Sequence, residues 1–312
     1  MVSVPVSASK PTPLAKGLPT SLDFPGKSAD EVTIAQVKKA LAASNPKFVP
    51  ARQGIALKGE KKLLSDGATL SSVGWKEGGE LAVKDLGAQI SWTTVFVIEY
   101  IGPLIVHPLM YHFPKLFYGQ DVQHSSLQKY VYAMVMAHFL KREYESLFVH
   151  RYSHGTMPFA YVFRNSFHYH VLGGVALAYS VYSPTYSATS AYIRGTIREN
   201  PQFLLACAAV WLWAELSNLK THLILRDLRP AGTTTRAIPF GYGFGTMTCP
   251  NYFFEIVGWL VVCGMTGSYS AWFFLLAGTY MMGVWAIKKH KNYKKEFGKD
   301  YPKRYKMIPF VF

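Results

Sequence analysis

Asn218, His222, Arg226 and Arg229 stand at i, i+4, i+8 and i+11, a spacing that puts them along one face of a helix. An amide, an imidazole and two guanidiniums in one line suit a phosphate-rich ligand, because the planar guanidinium fork matches phosphate oxygens in pairs. Arginines reaching out to lipid headgroups would account for Arg226 and Arg229, but hardly for Asn218 and His222. Asn251 and Glu255 form a second pair at i, i+4, directly after Pro250. Proline suits the first turn of a helix, where free N–H groups attract anions. An Asn–Glu face there points to amide-type hydrogen bonding with a ligand. Tyr252, turned away from that pair, offers a phenol proton; an interfacial aromatic belt is the competing account of it. His138, Arg142 and Glu145 stand at i, i+4 and i+7, and Arg142 with Glu145 reads most simply as an ion pair. Glu99, between Ile98 and Tyr100 and just ahead of Gly102-Pro103, stands inside an apolar run, where an unpaired carboxyl is costly.

The elements that must position these residues are apolar. Half of the 312 residues are hydrophobic and only 16% are charged, against about 25% in an ordinary soluble protein. Residues 1–86 hold 12 Lys/Arg and 8 Asp/Glu, residues 288–306 hold 9 and 2, and the stretch between holds 12 and 8. A polar head, an apolar middle and a basic tail describe an integral membrane protein with a soluble appendage. Runs long enough to span a bilayer occur at about 90–112, 127–149, 165–185, 202–225, 251–268 and 270–287. The fold class expected is an all-α polytopic bundle of six or seven membrane helices, preceded by a small β domain. Lys288-Lys289-His290-Lys291 follows the last run and predicts a cytosolic carboxyl terminus. The first thirty residues contain no signal-like apolar run, so the head is expected in the cytosol too. Six crossings satisfy both.

In the head, Val2, Val4 and Val6 alternate with small or polar residues as in a strand, and residues 18–24 supply its hairpin partner. A helix follows through residues 33–41 with Ile34, Val37 and Leu41 on one side, then strands at 54–57 and 79–84 around a Leu63-Leu64 turn. This order resembles the ubiquitin-like β-grasp, over a domain expected at residues 1–86. It continues through Asp85-Leu86-Gly87 into the membrane part, 87–312, instead of ending in a di-glycine tail, which excludes a conjugated modifier. A docking or stabilising role is the reading for it.

Several function classes drop out. The net charge of +15 sits beside hydrophobic stretches, whereas nucleic-acid binding needs it on a soluble face with stacking aromatics. Cys207, Cys249 and Cys263 form no CxxC or Cys/His zinc spacing, so neither a disulfide framework nor a metal is expected. No P-loop, HExxH or GxSxG occurs, and Gly241-Tyr242-Gly243-Phe244-Gly245 only imitates a dinucleotide loop.

Five segments together resemble the steroid 5α-reductase superfamily, and within it the very-long-chain trans-2-enoyl-CoA reductase branch. They are 85–92 (Asp-Leu-Gly-Ala-Gln-Ile-Ser-Trp), 148–158 around His150-Arg151-Tyr152-Ser153-His154-Gly155, and 225–232 around Arg229-Pro230-Ala231-Gly232. The others are Cys249-Pro250-Asn251-Tyr252 with Glu255, and the ending from Tyr301-Pro302 to Ile308-Pro309-Phe310. The resemblance implies an endoplasmic-reticulum enzyme that uses NADPH to reduce a trans-2-enoyl-CoA in the last step of fatty-acid elongation, beside other elongation enzymes. It assigns the catalytic tyrosine to Tyr252 and an essential membrane glutamate to Glu99, which orients the tyrosine or lines the acyl tunnel. Cofactor contacts fall on Asn218, Arg229, Asn251, Glu255 and Tyr293, with His290 and Arg151 added and His222 and Arg226 on the same face. Steroid reductases carry an aspartate in place of His222 and a substrate-binding tyrosine in place of Phe139, which argues against a ketosteroid substrate. Rival readings are a sterol reductase, a membrane methyltransferase of the isoprenylcysteine type and a non-enzymatic scaffold.

Overall fold

In the computed structural model, which describes residues 1–152, 155–230 and 236–312, the alternating valines form strand β1 (Val2–Ala8). β2 (Thr20–Phe24) runs antiparallel to it with Val4 opposite Leu22. Helix α1 (Ile34–Ser44) starts at a capping box, in which the Thr33 hydroxyl accepts the Gln36 N–H and the Gln36 side chain accepts the Thr33 N–H. That exchange satisfies two amide donors that the first turn would leave open. β3 (Gln53–Leu57) and β4 (Leu81–Asp85) complete a sheet of order β2-β1-β4-β3, with β4 parallel to β1 and antiparallel to β3. Val4, Val6, Ile34, Val37, Leu41, Ile55, Leu81 and Val83 are fully buried between sheet and helix, so the period-2 and period-3.6 stripes meet in one core. A four-stranded sheet on one helix fits a small β-grasp. The compact unit extends over Met1–Ser91 and includes Thr156–Tyr161, because β5 (Gln89–Ser91) and β6 (Thr156–Pro158) pair antiparallel.

Asp85 closes the end of β4. Its carboxylate accepts from Arg52 through Nε (3.0 Å) and Nη2 (2.8 Å), and from the Gly87 N–H at 2.8 Å. Gly87 turns at φ 76°, a left-handed backbone that glycine adopts without a Cβ clash.

The second unit, Trp92–Gly155 with Val162–Phe312, is helical. It comprises α2 (Trp92–His112), the short α3 (Pro114–Tyr118), α4 (Ser126–Tyr144), α5 (Tyr161–Ser166), α6 (Leu177–Val181), α7 (Pro201–Asp227), α8 (Pro250–Thr266) and α9 (Tyr269–Phe297). α4 runs on into a π-helical turn, Glu145–Val149, and a longer one, Phe167–Ala176, joins α5 to α6. Among the described residues, three helical stretches are long and apolar enough to cross a membrane: Trp92–His112, Pro201–Asp227 and Tyr269–Asp300. The other three expected runs are helical too. Lys129, Lys141, Arg142 and Glu143 make α4 polar, and α8 has only 17 residues.

Close helix contacts explain two glycines. A Cβ on Gly102 would lie 2.1 Å from the His170 ring, whose Nε2 donates to the Ile98 carbonyl at 2.7 Å. At Gly267, φ 63°, the chain leaves α8; Ser268 then caps α9 by accepting the Ala271 N–H. α7 stops at Asp227, ahead of Pro230, while Ala231 and Gly232 lie outside the described residues, as do Ser153 and His154.

The Arg52 guanidinium and the Gly87 N–H hold the Asp85 carboxyl below its ordinary value. Asp85 therefore stabilises the head above its unfolded pKa of about 3.9, and that contribution fades as pH falls through the depressed value. Asp85→Asn should cost about 1 kcal/mol at pH 7. Hydrogen exchange of the β3–β4 amides should show faster exchange in the variant, with the gap to wild type closing as the solution becomes strongly acidic.

Candidate active site

The polar faces of α7 and α8 meet. Asn218, 2% exposed, donates from Nδ2 to the Asn251 carbonyl oxygen (2.9 Å) and to Glu255 Oε2 (3.3 Å). Asn251, one residue into α8, directs Nδ2 toward His222 Nε2 at 3.5 Å. Its Oδ1 is buried and has no hydrogen-bond partner among the described residues. Four of the expected residues, Asn218, His222, Asn251 and Glu255, thus form one connected group. Close approach of the two helices uses Gly258, where a Cβ would stand 3.3 Å from Glu215 Oε1.

α4 inserts its charges into this group. Lys141 Nζ donates to Asn218 Oδ1 at 2.6 Å and lies 2.7 Å from Glu215 Oε2. His138 Nδ1 donates to Glu215 Oε1 at 2.8 Å, and its Nε2 lies 3.4 Å from Glu255 Oε1. Arg142 and Glu145 do pair, at 2.6 Å, but Glu145 also accepts from His222 Nδ1 at 2.9 Å. His222 thus bonds a carboxylate from the turn that follows α4. Arg142 continues to the Tyr100 hydroxyl oxygen at 2.9 Å. Glu145, His150 and His222 offer ligand atoms within 4.8 Å of one another. The guanidinium already on Glu145, with Lys141 3.8 Å away, opposes a divalent cation there by charge.

The remaining expected residues sit apart from this group. Arg226 pairs with neighbouring Asp227 at 2.8 Å, on the exposed end of α7. Arg229 lies past the helix end and donates to the Arg151 carbonyl at 2.9 Å, while Arg151 donates to the Arg229 and Arg226 carbonyls. The two guanidiniums thus clasp the 150 segment to the end of α7. His290 bonds Thr248 Oγ1 at 2.6 Å, and Thr248 bonds the Tyr301 hydroxyl at 2.8 Å. Tyr293 stacks on Tyr301, with centroids 5.3 Å apart and planes 3° apart. The tail reaches the site through the backbone. Thr248 N–H donates to the Tyr305 carbonyl and Cys249 N–H to the Lys306 carbonyl, at 2.8 and 3.0 Å. That anchors the two residues ahead of Pro250 and so the start of α8.

Glu99 is 1% exposed and not unpaired, since the Asn165 amide donates to its Oε1 at 2.7 Å. Tyr252 follows Asn251 on α8 and faces Trp285, 6.4 Å between ring centroids. No hydrogen bond joins Tyr252 to Glu99. Phe139 is fully buried against Tyr100 and Trp259, centroids 6.3 and 6.1 Å away. Sequence reasoning passed over Lys141, Glu215 and Asn165. Glu215 carried a usable signal: an acid in an apolar run, three residues before Asn218 and so on its face.

Residues 155–312 match the family described as 3-oxo-5-alpha-steroid 4-dehydrogenase. A candidate enoyl reductase of Schizosaccharomyces pombe is 44% identical over 299 residues, 94% of this chain and 95% of that one. The very-long-chain enoyl-CoA reductase of Dictyostelium discoideum is 42% identical over 233 residues, 74% of each chain. The trans-2,3-enoyl-CoA reductase-like protein of Homo sapiens is 29% identical over 292 residues, 89% of this chain and 77% of that one.

Glu145→Ala would leave Arg142 and His222 buried without their shared carboxylate. A loss of about 3 kcal/mol or more is expected, read as a lowered midpoint of thermal unfolding in detergent. Arg226→Ala, at an exposed pair, should shift that midpoint little.

Proposed function

The chain belongs to the very-long-chain enoyl-CoA reductase family of the steroid 5α-reductase superfamily and is an oxidoreductase acting on enoyl-CoA, and we propose that NADPH supplies the hydride and Tyr252 the proton. One observation carries this reading. The hydrogen-bonded set Asn218–Asn251–Glu255 ends on a buried Asn251 Oδ1 that has no partner among the described residues, beside Tyr252 in the first turn of α8. A carboxamide ligand such as nicotinamide has the N–H donors that such an orphaned acceptor lacks.

When bound, NADPH supplies hydride to Cβ of the conjugated thioester. Asn218, Asn251 and Glu255 would hold the nicotinamide end, with His222 tied to them through Asn251. Arg151, Arg226, Arg229, His290 and Tyr293 would gather at the phosphate-bearing end, where guanidinium forks suit phosphate. As Cβ receives the hydride, charge develops on the substrate's thioester oxygen, and Cα must then be protonated. A phenol with an ordinary pKa of about 10 keeps its proton at neutral pH and can donate it. Tyr252 is therefore the general acid. Glu99, its carboxyl held by the Asn165 amide, would line the acyl side of the site. Phe139 has no hydroxyl, so its position offers no tyrosine-type contact to a ketosteroid.

The site needs the membrane because its acyl substrate is as apolar as lipid. The six apolar runs of the sequence carry the reading of six crossings in the endoplasmic-reticulum membrane, three of them long and apolar enough as helices to cross, with the β-grasp head and basic tail in the cytosol. That side is where a CoA headgroup and NADPH arrive. The head is read as a docking or stabilising domain, toward other elongation enzymes.

The test is NADPH oxidation by purified protein on a long trans-2-enoyl-CoA. Wild type should turn over, and Tyr252→Phe should lose about a hundredfold or more in kcat while still binding NADPH. Turnover unaffected by the substitution would remove Tyr252 as donor, and no NADPH consumption by folded wild type would remove the cofactor assignment.

A further inference from the structure

The two arms of the Asn218 carboxamide have nearly the same shape, so what each arm faces decides which way round it sits. The nitrogen arm faces two acceptors, the Asn251 carbonyl oxygen at 2.9 Å and Glu255 Oε2 at 3.3 Å. The oxygen arm faces Lys141 Nζ at 2.6 Å, and an ammonium has only donors. Reversal would set an oxygen against a carbonyl and a carboxylate, and an NH2 against an ammonium. Each mismatch leaves a buried polar group without a partner.

We infer that Lys141 is a positioning residue that fixes the orientation of the Asn218 amide, and with it the donor edge presented to Glu255 and Asn251. The inference rests on the reading that these three residues hold the nicotinamide cofactor. Lys141 acts through Asn218 and needs no ligand contact of its own. Its ammonium is held in turn by Glu215, through Oε2 at 2.7 Å and the main-chain oxygen at 3.3 Å. The second Glu215 oxygen is taken by His138 at 2.8 Å. One Glu215 oxygen is thus hydrogen-bonded to His138 and the other only ion-paired with Lys141, and Gly258 leaves the space in which the side chain sits. Without Lys141 the amide keeps its two acceptors but loses one of the three contacts that oppose its reversal, and the only donor to its oxygen among the described residues.

The experiment is steady-state kinetics on the full chain in detergent, varying NADPH at saturating long-chain trans-2-enoyl-CoA. The proteins compared are wild type, Lys141→Met, Lys141→Met with Glu215→Gln, Asn218→Ala, and Lys141→Met with Asn218→Ala. Lys141→Met should raise the NADPH KM about tenfold with kcat little changed. In the Asn218→Ala background the lysine substitution should add nothing further, because the group it orients is gone. If the single variant fails to fold, the Glu215→Gln partner removes the unbalanced carboxylate and should show the same raised KM. An unchanged KM in either Lys141 variant overturns the inference. So does an effect that multiplies in full with Asn218→Ala, since that marks general damage. A wild type that uses no NADPH sinks the cofactor reading instead. The same cycle read by thermal unfolding then decides the amide's orientation, coupling supporting it and additivity overturning it.

Discussion

Charge buried between apolar helices must find opposite charge, and the junction of α4, α7 and α8 is organised by that constraint. Glu145, Glu215 and Glu255 meet Lys141 and Arg142, with His138 and His222 bridging between the helices. Three carboxylates against one ammonium and one guanidinium leave a single formal negative charge, and each imidazole turns an N–H toward a carboxylate. In a low-dielectric interior an unpaired member of such a set is far costlier than an unfilled apolar contact. Rotating any of the three helices by one residue would carry its polar stripe about 100° away and orphan several groups together. Helix register is thus set by hydrogen bonds and ion pairs, and the apolar residues fill the space between.

The same constraint delivers the chemistry. Asn218 is buried at 2% exposure because its amide is fully partnered, and those partners fix the first turn of α8, where Asn251 and Tyr252 stand. The tail strengthens this turn from the other side, since the backbone of Tyr305 and Lys306 accepts from Thr248 and Cys249. A carboxyl-terminal segment that looks like a solvated basic tail in the sequence is in part a strap on the site.

Much of this was legible in the sequence, for reasons of periodicity. Asn218 with His222, and Asn251 with Glu255, stood out because amides and acids at helical spacing in apolar runs have few structural explanations. The head was legible because its valine alternation and its Ile34–Val37–Leu41 stripe are local patterns. Lys141 escaped because, beside Arg142 and Glu143, it looks like part of a solvated charged stretch, whereas Glu215, an acid inside an apolar run, was legible and was passed over. The helical face and the family resemblance assign Arg229 to a phosphate ligand, and the resemblance alone adds Arg151. Their mutual bonds to main-chain carbonyls depend on a loop meeting a helix end, which no local pattern encodes.

The sequence by itself determined where the long helices and the four strands of the head lie, which residues share a polar face, and that one helix would start at Pro250 with Asn251 and Tyr252 in its first turn, but not the β5–β6 pair or the π-helical turns. Local periodicity and backbone preference suffice for that, since they act within a few residues. The tertiary structure alone decided which polar face answers which. Lys141 and Asn218, and likewise Glu145 and His222, are 77 residues apart in the chain. Each of these faces could have satisfied its polar groups with several partners of the right chemistry. Packing selected one, in which the buried charges are paired and the Asn251 oxygen has no partner among the described residues.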